Sequence, residues 1–339
     1  MTKRLGVAMI GLGMASLPHA RALLALGDRI DVLHAFSPSA DRRSAFAEAH
    51  GLPVTGTVEA IFDDPRVEAV LVLTPPNTHL DIVARPAAAG KHVLLKKPLE
   101  VTTERAEQLV NIADAAGITL GVVLQNRFRP AARELKNMIG NGLLGNLVHV
   151  SARTAYWRPQ SYYDEPGRGT LARDGGGVLL TQAIHNVDLM ISLVGMPHTA
   201  AGFIATSPLH VMEGEDIAAA ILRFDNGAIG SITATTCAFP GQADVIDIIG
   251  DKGSALLNGT HLTVRLHDGT HRDFEGADTG SGSGSDPMAF SSQAHQDLIN
   301  DFAEAIISGR KPAASGRELL AVHRLISTII QTKGVAQGL

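Results

Sequence analysis

The stretch 5–16, LGVAMIGLGMAS, limits the possible folds more than any other. An apolar run rich in Val, Leu and Ile enters Gly11 and Gly13, and residues 15–26 then read as a helix that Gly27 ends. Strand, glycine turn and helix in that order bring exposed helix N–H groups and the positive end of the helix dipole to one point, where a pyrophosphate can sit. Gly11 permits the tight turn and Gly13 lets phosphate oxygens approach bare backbone; Ser16 stands at the third glycine position, so helix and strand pack slightly looser there. Such a turn is common by itself, and its weight comes from the hundred residues after it.

A second strand over 29–36 leads to Ser37, and a helix over 40–50 ends at Gly51. An apolar strand over 67–74 runs into TPPNTH, whose prolines stop the ladder at the carboxyl edge of a sheet, where open α/β sheets bind ligands. A helix over 78–89, a strand over 92–95 entering Lys96-Lys97-Pro98, a helix over 102–116 and a strand over 118–124 continue the alternation. This predicts an α/β, doubly wound parallel sheet over 1–124.

After Asn126 the texture changes. A helix over 130–139 precedes an alternating stretch over 147–157, with His149, Ser151 and Arg153 on one side and Val148, Val150 and Ala152 on the other. Asp225-Asn226-Gly227 joins strands 217–224 and 228–235 as a hairpin, and Asp268-Gly269 follows 261–267. Antiparallel strands gathered after a parallel sheet predict a second, α+β domain over 125–339. Helices over 291–307 and 316–331 close it, the second opened by a capping box of Ser315 and Glu318. GADTGSGSGSD at 276–286 has nothing to bury and reads as a mobile surface loop.

Composition narrows the function. The 339 residues suffice for two domains, and the single cysteine, Cys237, excludes an intrachain disulfide and fits a reducing cytoplasm. A net charge of −5 with both signs interspersed makes no case for nucleic acid or a membrane surface. The apolar part of MTKRLGVAMI is too short for a signal peptide and no later stretch reads as a bilayer span, so a small ligand in the cytoplasm is expected. Fourteen histidines lie scattered, His267 and His271 alone standing four apart and across the Asp268-Gly269 turn, with no H-E-x-x-H and no cysteine pair, and no metal is expected. Where a carboxylate at the end of the second strand would take both ribose hydroxyls of NAD, the chain has Ser37 followed by Arg42 and Arg43. Without that carboxylate a 2′-phosphate is not repelled and an arginine can pair with it, which favours NADP over NAD.

GLG at 11–13, TPPNTH at 74–79, AGKHVLLKKP at 89–98 and GGGVLLTQAIHNVD at 175–188 occur in an order and spacing that resembles the glucose-fructose oxidoreductase, inositol dehydrogenase and MocA family of sugar and polyol oxidoreductases, over essentially the whole chain. The resemblance implies a Rossmann domain followed by a domain built on a large, mainly antiparallel open sheet, and a homo-oligomer, dimer or tetramer. It implies hydride transfer between NAD or NADP and a sugar, inositol or related polyhydroxy substrate. Gly11, Gly13, Met14, Ala15, Ser37, Arg42, Thr74, Pro75, Asn77, His79, Lys97 and Asn126 are the implied cofactor contacts.

The family pattern E-K-P aligns Lys97 with its catalytic lysine and leaves Lys96 in place of the glutamate. Pro98 keeps Lys97 extended at the strand end, where an ammonium can stabilise an alkoxide; adjacent ammoniums disfavour each other's charge, whereas a glutamate would have favoured it. His185 matches the catalytic histidine, and Thr181 lies one helical turn earlier where relatives carry aspartate or asparagine. Threonine takes no proton at neutral pH, so proton exchange falls to His185 and Lys97. Asp188 reads either as orienting that imidazole or as a surface acid on a helix whose apolar stripe is Ile184, Val187, Ile191 and Val194. Tyr162, Tyr163, Arg168 and Thr170 resemble a YY…WRGT segment of one branch, with Gly167 for the tryptophan. The implied substrate set is therefore Lys97, Arg127, Tyr163, Arg168, Thr181 and His185, while Trp157 and Arg158 read as packing. Two other classes share these motifs: a glycoside hydrolase or lyase that retains NAD and acts by transient oxidation, and a non-catalytic dinucleotide-binding regulator.

Overall fold

All six residues of β1 (Leu5–Ile10) are buried, as a strand covered on both faces requires. In the computed structural model, which describes residues 4–276, 282–288 and 290–332, this strand is followed by α1 (Ser16–Ala25), β2 (Ile30–Phe36), α2 (Ala40–His50), the short α3 (Glu59–Asp63) and β3 (Ala69–Val72). Next come α4 (His79–Ala88), β4 (His92–Lys96), α5 (Thr103–Ala115) and β5 (Leu120–Val123). The five strands form one sheet of order β2-β1-β3-β4-β5, parallel throughout, as the alternation predicted. The winding reverses between β1 and β3, which opens a crevice beyond their carboxyl ends.

The chain separates into two units, one comprising the stretch up to Gln125 with Ser291–Leu320, the other Asn126–Phe290 with the chain from Ala321 on. The second contains α6 (Pro130–Gly140), β6 (Leu147–Ala155), two single turns, α7 (Gln160–Tyr163) and α8 (Leu171–Asp174), and α9 (Ile184–Val194). Then follow β7 (Thr199–Ala205), β8 (Ile217–Arg223), β9 (Ile229–Thr235), β10 (Val245–Gly250), β11 (Gly253–Asn258), β12 (His261–Leu266) and β13 (His271–Phe274). They make an eight-stranded sheet of order β13-β12-β11-β10-β6-β9-β8-β7. Every pairing is antiparallel except that of β6 with β9. The β8–β9 hairpin turns at Asp225-Asn226-Gly227 as read, with Gly227 at a φ of 85° that a side chain would resist. Helix α9 lies over β6 and β10, and α6 over β11 and β12, so Val150, Ala152, Ile246, Ile248, Leu257 and Val264 are buried beneath them. On other positions of the sheet Phe203 and Ile221 remain 62% and 60% exposed.

Of the late helices, α10 (Gln293–Ser308) belongs to the first unit: its His295 meets His19 of α1 edge-on at 5.0 Å between ring centroids. The chain then reaches β5, where Val122 N–H donates to the Ala314 carbonyl and Ser315 bridges Gly121. Gly121 is glycine because a Cβ there would stand 2.7 Å from the Phe302 ring. Ser315 and Glu318 then cap α11 (Gly316–Gln331) reciprocally, at 3.4 and 3.5 Å.

One expectation needs correction. Of the supposed mobile loop at 276–286, residues 277–281 lie outside the described residues, and 282–284 are tied down by Arg158. That buried guanidinium donates to the carbonyls of Gly282 (2.7 Å), Ser283 (3.1 Å) and Gly284. A buried arginine must find acceptors for its fork of N–H groups, and glycine-rich backbone supplies carbonyls without side-chain obstruction. By length and composition alone, the stretch 171–194 is apolar enough to cross a membrane. With 72% of its most apolar window buried inside the protein, it has the setting of a core helix.

Candidate active site

The glycine turn after β1 is shaped by close backbone approach. Gly11 has a φ of 105°, and a Cβ on it would lie 2.8 Å from the Leu73 carbonyl carbon. Gly13 is open, with nothing within 4 Å of where its Cβ would be. No side chain caps α1; the Ser16 hydroxyl instead donates to the Gly13 carbonyl at 2.7 Å. A bare turn leading into an uncapped helix start is a cradle that fits a pyrophosphate.

At the end of β3, Thr78 donates its hydroxyl toward Thr74 Oγ1 and the Pro75 carbonyl, both at 2.8 Å, and Asn77 projects outward from the 3₁₀ turn Pro76–Thr78. His79, expected as a cofactor contact, is wholly buried. Its Nε2 lies 3.0 Å from the Thr74 carbonyl, and its Nδ1 3.0 and 3.1 Å from those of Pro98 and Leu99. The ring therefore braces the turn after β3 against the segment after Lys97 and has no face left for a nucleotide. Glu100, also buried, accepts from Leu80 N–H, Val101 N–H and Arg105 Nη2 at 2.7–3.1 Å. Half-buried Lys97 is thus carried at the carboxyl end of β4 on a segment held by two side chains, with a cis peptide to Pro98.

Two of these first-unit histidines make stability depend on pH. Burial, joined by the charge of Lys96, pushes both His19 and His79 down to about 4, against the hydrogen bonds to backbone carbonyls that oppose the shift. Between the unfolded value near 6.5 and the folded value near 4 the unfolded chain binds protons that the folded chain refuses, so stability falls as pH drops through that window. The loss reaches up to about 3 kcal/mol per ring. Urea midpoints measured from about pH 7 down to about pH 4.5 should decline, and His19→Phe should flatten part of the slope. A midpoint that stays level over this range would contradict both assignments.

Ser37, expected at the ribose, is also buried; Arg43 folds back over it and donates to the Ser37 and Pro38 carbonyls at 2.6 and 3.1 Å. Arg42, next to it at the start of α2, is exposed, and its guanidinium has no hydrogen-bond or ion-pair partner among the described residues.

In the second unit the glycine run 175–177 is held by Glu215. That carboxylate accepts Gly177 N–H and Leu179 N–H, both at 2.9 Å, and a Cβ on Gly177 would stand 1.8 Å from the Glu215 carbonyl oxygen. Burial raises the Glu215 carboxyl above its usual value. The helix starts with a π-helical turn, Leu179–Ala183, a form that recurs at functional sites and that no apolar spacing announces. Thr181 lies within it and donates its hydroxyl to the Gly177 carbonyl at 2.6 Å; half-buried His185 follows in α9. Asp188 is no surface acid: it is buried and accepts a two-pronged pair from Arg127, Nε to Oδ2 at 2.7 Å and Nη2 to Oδ1 at 2.6 Å.

Three more expected contacts find partners inside the second unit. Asn126 is buried and hydrogen-bonds Asp244, which also accepts from Thr154 and Tyr156 at 2.8 Å. Tyr163 is buried with its hydroxyl on Thr236 Oγ1 at 3.0 Å, so it offers no free phenol to a substrate. Arg168 pairs with Glu165 and stacks 4.2 Å over the Tyr162 ring. Sequence reasoning also missed His79, Glu100 and Glu215 as supports; none carries a spacing signal, because each acts on backbone distant in sequence.

The family model described as an oxidoreductase family with an NAD-binding Rossmann fold matches residues 5–124, and the GFO/IDH/MocA C-terminal domain matches residues 132–256. Myo-inositol 2-dehydrogenase of Thermotoga maritima is 28% identical over 325 residues, 92% of this chain and 91% of that protein. The 1,5-anhydro-D-fructose reductase of Ensifer adhaerens is 28% identical over 311 residues, 91% and 90% of the two chains. The WlbA dehydrogenase from Bordetella pertussis, solved in complex with NADH and UDP-GlcNAcA, is 27% identical and superposes with a TM-score of 0.83 over 97% of this chain and 96% of that one.

Proposed function

The chain belongs to the GFO/IDH/MocA oxidoreductase family, and on that premise we propose that it transfers hydride between NADP, in preference to NAD, and a sugar, inositol or related polyhydroxy compound. The observation that carries this reading is the uncapped turn Gly11–Ser16 in the same fold unit as the braced Lys97. Gly11, Gly13, Met14, Ala15, Thr74, Pro75, Asn77 and Arg42 are the residues that would hold the dinucleotide, and when bound its nicotinamide supplies or accepts the hydride. Lys97 directs its ammonium to the substrate oxygen and stabilises the alkoxide. His185 takes the hydroxyl proton during oxidation and returns it during reduction. Thr181 accepts or donates a hydrogen bond without changing protonation, and Arg168 is the remaining candidate to bind hydroxyls. Exposed apolar side chains of the second sheet, Phe203, Ile217, Ile221 and Ile229, support a homo-oligomer formed through that surface.

Cofactor choice is decided by titrating NAD, NADH, NADP and NADPH. NADPH should bind more tightly than NADH, and Arg42→Ala should weaken NADPH by about 10- to 100-fold, the worth of one charge-assisted contact, while leaving NADH alone. Equal affinities in the unaltered protein would overturn the preference. Absence of turnover across a panel of sugars and inositols with the tighter nucleotide would overturn the activity.

A further inference from the structure

The connection from β7 to β8 and the chain just after β9 bring together three side chains that sequence spacing keeps apart. His210 and Asp216 are six residues apart; Cys237 is 21 residues beyond Asp216 and 27 beyond His210. Their ligating atoms, His210 Nδ1, Asp216 Oδ2 and Cys237 Sγ, all lie within 4.8 Å of one another. Nδ1 to Oδ2 is 2.8 Å, Sγ to Oδ2 is 3.2 Å and Sγ to Nδ1 is 3.8 Å.

Four features distinguish this cluster from a satisfied hydrogen-bond knot. His210 Nε2 donates to the Arg158 carbonyl at 2.8 Å, which leaves Nδ1 as the ring atom that faces the carboxylate. A ring nitrogen and a carboxylate oxygen 2.8 Å apart in a buried site hold a proton or a metal cation between them. Asp216 Oδ2 is also over-subscribed, since Ser207 Oγ at 2.6 Å approaches the oxygen that already faces the ring and the thiol. One cation satisfies the nitrogen, oxygen and sulfur at once, where protons would have to be shared among them. The supporting contacts typical of bound metal are in place: a carbonyl behind the imidazole, and the Ser207 amide on Asp216 Oδ1 at 2.7 Å. Finally, the three ligating atoms stand 2.8, 3.2 and 3.8 Å from one another, about as close as donors that share one ion.

We propose that His210, Asp216 and Cys237 form a three-ligand site for a divalent transition ion of the zinc class. Thiolate and imidazole select such an ion over calcium or magnesium. Ser207 Oγ or water completes the tetrahedron, and the partly exposed Cys237 gives the ion a way in. Binding displaces the thiol proton and the proton between ring and carboxylate, so uptake releases protons. The ion pins the β7–β8 connection to the end of β9, and with it the ring of Tyr163, whose centroid is 4.8 Å from that of His210. None of its three ligands is among the residues assigned to hydride transfer.

The test uses the full chain without a histidine tag. Stripped protein titrated with Co²⁺ should take up about one equivalent per chain and develop a near-ultraviolet thiolate-to-cobalt charge-transfer band, and Zn²⁺ should displace the cobalt. Cys237→Ser, a conservative change at a partly exposed position, should abolish the band, and His210→Ala should weaken uptake by about tenfold or more. Zn²⁺ should also raise the thermal midpoint of the unaltered protein and not that of Cys237→Ser, a readout that holds even if His210→Ala folds poorly. Cobalt uptake without the thiolate band, binding unchanged in Cys237→Ser, or no uptake at all would overturn the proposal.

Discussion

Lys97→Ala should lower kcat about a hundredfold or more, with nucleotide affinity changed little, because the variant removes charge stabilisation that matters only as the substrate oxygen becomes an alkoxide. The segment that carries Lys97 is held by His79 on the Pro98 and Leu99 carbonyls and by Glu100 on two backbone amides and Arg105, so truncating the side chain leaves its backbone in place. His185→Ala should cost a similar factor, and the double variant only slightly more than either, since groups acting in one step are not additive. Pre-steady-state turnover at saturating nucleotide and substrate separates this from a binding defect. Full activity in both single variants would remove the proposed roles and leave a dinucleotide-binding protein with its chemistry elsewhere.

Arg127→Ala should destabilise the protein by about 3–5 kcal/mol, the cost of removing one partner of a buried ion pair. The side chains of Arg127 and Asp188 are 9% and 1% exposed, and their two hydrogen bonds of 2.6 and 2.7 Å are those of a charge-assisted fork. Such a loss is about a fifth or more of the stability of an ordinary domain. Replacing both partners, Arg127→Met with Asp188→Leu, should recover most of it, because a matched apolar pair needs no compensation. Urea unfolding of the single and double variants measures the difference. The sequence reading placed Arg127 at the substrate; stability unchanged in Arg127→Ala together with a raised KM would restore that reading against the buried clamp.

What could be read without coordinates was local. Hydrophobic period, the glycines at 11 and 13, and the hairpin turn at Gly227 are constraints a residue imposes on its immediate neighbours, and each appears as expected: parallel sheet, tight glycine turn, antiparallel hairpin. Lys97 is of the same kind, since an apolar strand ending at Lys-Lys-Pro locates it at a strand end whatever surrounds it. Side-chain partnership is different. Asp188 meets a guanidinium 61 residues earlier and Glu215 reaches amides 36 and 38 residues back, and a buried polar group takes whichever partner packing delivers.

The chain by itself therefore determined the alternation of strands and helices up to residue 124, the glycine turn and the lysine after β4, because period and backbone freedom act over a few residues. Only the tertiary structure decided that His79, Ser37, Asn126 and Tyr163 turn inward, that residues 291–320 return to the first unit, and that a cysteine, a histidine and an aspartate share one buried point. Those outcomes depend on which surfaces are desolvated together, and desolvation is a property of the packed molecule that no stretch of sequence carries alone.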